Sequence, residues 1–159
     1  MGLSSNHIFP NRPDRKGRMN CERLGRLAML LDVYRDNSMP RFDLQSWGAS
    51  KTQRGGFLWL RQHTCGTAAC AVGLACGSGV FAEEGLTYSS DKKGGLTPMF
   101  GELEGWNAVK SFFDLEQDQA VRLFAEHSYA VTHGEAAAQA VAARIREMIA
   151  PHDAPGAIP

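Results

Sequence analysis

The feature that most constrains the fold is a central run of small residues without charge, residues 64–76 (TCGTAACAVGLAC). A helix that is apolar on every side is buried, because no face of it favours contact with water. The run therefore predicts a buried central helix over residues 66–76, ended by Gly77 and Gly79. Since small side chains let neighbouring backbones come close, we expect this helix to pack among the apolar stripes of the first and last helices.

Apolar residues recur at helical spacing on both sides of this run and predict further helices over residues 21–35, 106–113 and 117–127, and a last helix with Val141, Ile145, Met148 and Ile149 along one face. Asn20 is the expected N-cap of the first of these helices. A capping box from Thr132 to Glu135 precedes the last one, which Pro151 should end.

Residues 86–100 predict one small β-hairpin, with Pro98 restricting its second arm to a sheet edge. The fold class expected is mainly α, a single compact domain of about five helices around the buried small-residue helix, with that hairpin.

A length of 159 residues corresponds to one domain. We expect a helical domain over residues 19–150, between a flexible basic arm (1–18) and a disordered tail (151–159). The arm could contact an anionic partner through its four basic side chains, Arg12, Arg15, Lys16 and Arg18.

The whole chain carries 17 basic and 17 acidic residues. That balance argues against a nucleic-acid-binding protein, apart from the arm. The sequence contains no secretory signal and no apolar run long enough to span a membrane, so we expect a cytoplasmic protein with reduced cysteines.

The cysteines allow several interpretations. Cys70 and Cys76 suit buried structural positions, because free cysteine packs as a small apolar group. Cys65 precedes the predicted helix start, where free backbone N–H groups would stabilise a thiolate. This position suggests a thiol hydrolase or transferase with His63 as base, and His127 and His133 are the alternative bases.

The spacing of the cysteines along a helix is poor for a tetrahedral metal site, and no cofactor motif is present, so we expect neither a metal nor a cofactor. A redox or metal sensor remains a third hypothesis. The sequence leans away from an enzyme without deciding the question.

The leading hypothesis is a small non-enzymatic binding or accessory protein whose partner is another protein. Its expected contact surface comprises the aromatic regions 42–60 and 96–106. Within them, four residues are the candidate binding residues: Phe42, Trp47, Trp59 and Trp106.

Two motifs carry a resemblance to known proteins. They are F-D-L-x-x-W-G over residues 42–48 and C-G-T-x-A-C-x-x-G over residues 65–73. In these motifs the chain resembles a group of small uncharacterised bacterial and phage-encoded proteins with a C-G-T-x-A-C-x-x-G core. The resemblance implies a bacterial, phage or mobile-element origin and a shared compact fold. It marks the cysteine segment as the defining element of the group and carries over no catalytic residue.

Overall fold

The computed structural model describes residues 18–37, 41–45, 47, 68–90 and 96–153, and these residues form a mainly helical structure, as predicted. The described elements are α1 (Cys21–Asp32), β1 (Arg41–Phe42), β2 (Ala68–Ala69), α2 (Ala71–Ser78), β3 (Leu86–Ser90), β4 (Leu96–Phe100), β5 (Leu103–Glu104), α3 (Trp106–Phe113), α4 (Gln117–Phe124) and α5 (Gly134–Asp153). Short 3₁₀ turns cover Ala82–Glu84 and Glu126–Ser128.

Helix α1 packs along α5, and this pair is the most extensive contact between elements in the described structure. The leucine stripe of α1 is fully buried against it. The Asn20 side chain accepts the Arg23 N–H at 3.0 Å, which confirms the predicted N-cap. The helix ends at Asp32, earlier than predicted, although Tyr34 from the predicted stripe is still buried beyond that end.

The start of α5 is capped from a distant segment rather than by the predicted box from Thr132. Asp36 Oδ1 accepts the Glu135 N–H at 2.6 Å, and the Glu135 carboxylate accepts the Asp36 N–H at 3.3 Å. The same end of α5 is therefore tied to the chain that follows α1. Helix α5 also continues through Pro151 to Asp153. A proline so close to a helix end removes only one terminal hydrogen bond, so it does not end the helix here.

The predicted hairpin is present as β3 and β4, but it belongs to a three-stranded antiparallel sheet. The third strand, β5, returns after a turn at Gly101 and pairs with Met99 and Phe100. Strand β4 is therefore central, and the prediction of an edge strand is wrong. Pro98 is tolerated there because β5 pairs only beyond it, while its carbonyl accepts the Gly105 N–H at 2.9 Å.

The central run differs from the prediction in where its helix starts. Ala68–Ala69 form β2, which pairs in parallel with β1, so α2 begins at Ala71 rather than at residue 66. This pairing joins segments far apart in sequence, which local spacing cannot predict. The helix is buried as expected, and it ends at Gly79 (φ 76°) with Gly77 inside it. Its main neighbours are α1, β3 and β4, not α1 and α5.

The core between α1, α3 and the sheet contains a cluster of phenylalanine rings, here called the phenylalanine cluster: Phe81, Phe100, Phe112, Phe113 and Phe124. Phe112 lies at its centre, with edge-to-face contacts to three of the other rings at 4.9 to 5.3 Å. Such contacts add stability beyond the area that they bury. Across the described part of the chain, no helix has the length and apolar content needed to cross a bilayer.

Candidate functional site

A cavity of about 320 Å³ opens where the segment after β1, the start of α3 and the end of α4 meet. It is here called the tryptophan pocket. It is lined by Leu44, Gln45, Trp47, Cys70, Trp106, Phe124, Ala125, Glu126 and His127. These residues come from four separate stretches of sequence, so only the tertiary fold assembles them.

The two tryptophans form adjacent walls of the tryptophan pocket. Their ring centroids are 4.9 Å apart, and the ring planes meet at 66°, an edge-to-face arrangement. Trp106 is the first residue of α3, and Trp47 follows β1. Both side chains are only half-buried, which leaves apolar ring surface toward the cavity. The structure thus brings together two of the four predicted binding residues.

The other two candidates do not join them. Phe42 is 1% exposed and packs against the Tyr34 ring with centroids 5.7 Å apart. Its backbone N–H donates to the Tyr34 hydroxyl at 2.6 Å. Phe42 is therefore part of the core and does not line the tryptophan pocket. Trp59 lies outside the described residues.

The C-x-x-G end of the sequence motif supports Trp47. The Cys70 thiol donates to the Trp47 carbonyl at 3.9 Å and accepts the Gly73 N–H at 3.5 Å. A Cβ atom added at Gly73 would lie 1.6 Å from the same carbonyl oxygen. No side chain fits in that space, so the motif provides a close contact between α2 and the backbone of Trp47. This contact holds one wall of the tryptophan pocket in place.

Cys70, rather than Cys65, is the N-cap of the central helix. A thiol in that position could be activated by the N-terminal end of the helix. However, Cys70 is buried, and burial raises the pKa of its thiol to about 11. Burial, together with the nearby Cys70, also raises the pKa of Cys76. Cys70 is therefore a neutral thiol at physiological pH, and both cysteines occupy the buried positions predicted for them.

The candidate bases are separated by the fold. His127 lines the tryptophan pocket with Cys70. His133 instead forms an isolated β-bridge with Asp43, just before α5. Cys65 and His63 lie outside the described residues, so the thiol-enzyme hypothesis that rests on them stays a prediction. The hypothesis of a redox or metal sensor also stays a prediction. The described residues contain no group of three His, Cys, Asp or Glu side chains placed to hold a metal.

Sequence reasoning missed the polar members of the tryptophan pocket, Gln45 and Glu126. No motif marks either residue, and each is an exposed polar residue next to a turn. The signal that could have identified Glu126 is its position directly after the apolar face of α4. Only a contact between the end of α4 and the aromatic segment turns that position into part of a site.

A second, wider cavity of about 550 Å³ lies between α3 and α4. Most of its lining residues are polar, and they are of mixed charge, with Lys110, Asp114 and Glu116 among them. It contains none of the named candidate catalytic or binding residues. The tryptophan pocket is therefore the better candidate.

Comparisons of the chain with protein-family models, with curated proteins and with solved structures find no match. Function is therefore inferred from the chemistry of the tryptophan pocket.

Proposed function

We propose that this chain is a small non-enzymatic binding or accessory protein that holds a segment of a partner protein in the tryptophan pocket. The observation that carries the proposal is the convergence of Trp47 and Trp106, from opposite halves of the chain, on one cavity. Tryptophan is enriched among the residues that dominate binding energy at protein interfaces.

The chemistry of the tryptophan pocket supports binding better than catalysis. Its thiol has a raised pKa and is engaged in holding the Trp47 backbone. Its volume is near the lower limit of ligand sites, which range over roughly 300–1,000 Å³. An apolar cavity of that size with a polar rim suits a side chain of an extended peptide better than a large cofactor.

Selection of a displayed random peptide library on the immobilised protein tests the proposal. We expect peptides with a shared sequence to be enriched on the wild type and on Met29→Ala, a control that removes an exposed apolar side chain that does not line the tryptophan pocket. Trp106→Ala and Trp47→Ala should both lose the enrichment, while circular dichroism verifies that each variant is folded. The proposal would be overturned if the two tryptophan variants enriched these peptides as strongly as the wild type does, or if the wild type enriched none.

A further inference from the structure

We infer that the tryptophan pocket accepts a cationic side chain, lysine or arginine, of the partner polypeptide. The inference rests on the proposed function and specifies the chemistry of the occupant. Two indole rings that meet at 66° form neighbouring aromatic walls. A cation over an aromatic face is attracted by the ring quadrupole, and tryptophan gives the strongest such interaction.

The tryptophan pocket also contains an acidic group with no internal partner. Glu126 lies at its rim, and within the described residues its carboxylate forms no ion pair. Exposed carboxylates without an ion pair also occur elsewhere among the described residues, Glu83 for one, and Glu126 differs from them in its position at the rim of the tryptophan pocket. Among the described residues that line the tryptophan pocket there is no lysine or arginine. A positive charge in it would therefore have a carboxylate to pair with.

One feature of the tryptophan pocket could favour an anion instead, namely the N-terminal end of α2. Two N–H groups at that end already have acceptors, because the Gly73 N–H donates to the Cys70 thiol and the Leu74 N–H to the Cys70 carbonyl. The Cys70 thiol, which lines the cavity, therefore takes one of the donors that an anion would need. The Gln45 amide can contribute an oxygen to a bound ammonium or guanidinium group.

The test follows the indole N–H resonances of Trp47 and Trp106 by NMR during titration with amino-acid amides. The probes are N-acetyl-lysine amide, N-acetyl-arginine amide and N-acetyl-norleucine amide, which is similar in length to lysine but uncharged. We expect the two cationic amides to shift both resonances, with affinities about tenfold above that of the norleucine amide. Glu126→Gln should remove most of that difference. Glu83→Gln, an exposed carboxylate that does not line the tryptophan pocket, should leave it unchanged.

The outcomes separate this inference from the proposed function. If the norleucine amide binds as well as the lysine amide, or if Glu126→Gln has no effect, the cationic occupant is wrong while an apolar binding pocket survives. The cationic occupant would also be wrong if the peptides whose enrichment is lost in Trp106→Ala contain no lysine or arginine. If none of the amides shifts the indole resonances and no peptide is enriched, both proposals fail.

Discussion

The phenylalanine cluster and the tryptophan pocket are two aromatic regions of the same molecule with opposite relations to solvent. In the cluster, Phe112 is fully buried and touches other rings on several sides, and the Arg23 guanidinium lies 4.2 Å from its ring centroid. In the pocket, Trp47 and Trp106 touch each other but leave ring surface open to a cavity. Similar edge-to-face contacts therefore stabilise the fold in one region and leave ring surface open to a cavity in the other, where we propose that a partner binds.

The largest expected effect on the free energy of unfolding comes from a substitution in the phenylalanine cluster. Phe112→Ala should lower the free energy of unfolding by about 3–5 kcal/mol, because it leaves a cavity among rings that cannot fully collapse. Trp106→Ala, at the half-buried tryptophan pocket, should cost about half as much or less, because part of its ring is already exposed. Urea denaturation of both variants measures the difference.

Met29→Ala is the matched control for these two variants, since the Met29 side chain is 66% exposed. It should change stability by no more than about 0.5 kcal/mol. A loss for Trp106→Ala that equals the loss for Phe112→Ala would mean that Trp106 belongs to the core, and the contrast between the two regions would disappear.

A second pair of variants examines how the tryptophan pocket is held. Gly73→Ala places a methyl group on the Trp47 carbonyl and should lower stability by about 1–3 kcal/mol, because the backbone must move. Gly25→Ala, inside α1, meets only Ile149 Cδ1 at 3.9 Å and should raise stability by about 0.5–1 kcal/mol. Thermal unfolding measures both changes, and we expect a lower Tm for Gly73→Ala and a higher Tm for Gly25→Ala. Gly73→Ala should also shift the Trp47 indole resonance, whereas an unchanged resonance would contradict the close contact.

A further expected effect appears only in alkaline solution. The pKa of Cys70 is higher in the folded protein, about 11, than the ordinary thiol value of 9.0. A group whose folded pKa is raised stabilises the fold below its unfolded pKa, and that contribution is lost as pH rises from about 9 to about 11. Cys70→Ser keeps a polar N-cap that does not titrate in this range, so stability should fall less steeply with pH, by about 2–3 kcal/mol over the range. Chemical denaturation across the range measures both slopes, and identical slopes would contradict a buried neutral thiol.

Much of the helical framework could be predicted from local pattern. Asn20 caps α1 as expected, and the bounds of α3 agree with the prediction because its apolar spacing and its flanking residues are local signals. The start of α2, the third strand and the cap of α5 were missed for a shared reason. Each depends on a partner distant in sequence: β1 for Ala68–Ala69, β4 for Leu103–Glu104 and Asp36 for Glu135.

The candidate site divides in the same way. The sequence singled out Trp47, Trp106 and His127 by residue type, but residue type could not separate them from Phe42, which is in the core. Nothing in the local pattern indicated that Glu126 lies beside the two tryptophans. Proximity between segments is a property of packing, and one sequence contains no direct signal of it.

The sequence by itself therefore determined a mainly helical chain with a buried, uncharged centre, because side-chain periodicity and small-residue composition act locally. The tertiary structure alone decided the role of that centre. The Trp47 carbonyl packs directly against Gly73 and accepts a hydrogen bond from the Cys70 thiol. The C-x-x-G motif therefore supports one wall of the tryptophan pocket. That role requires two segments to meet with almost no space between them, and only the packed fold brings them that close.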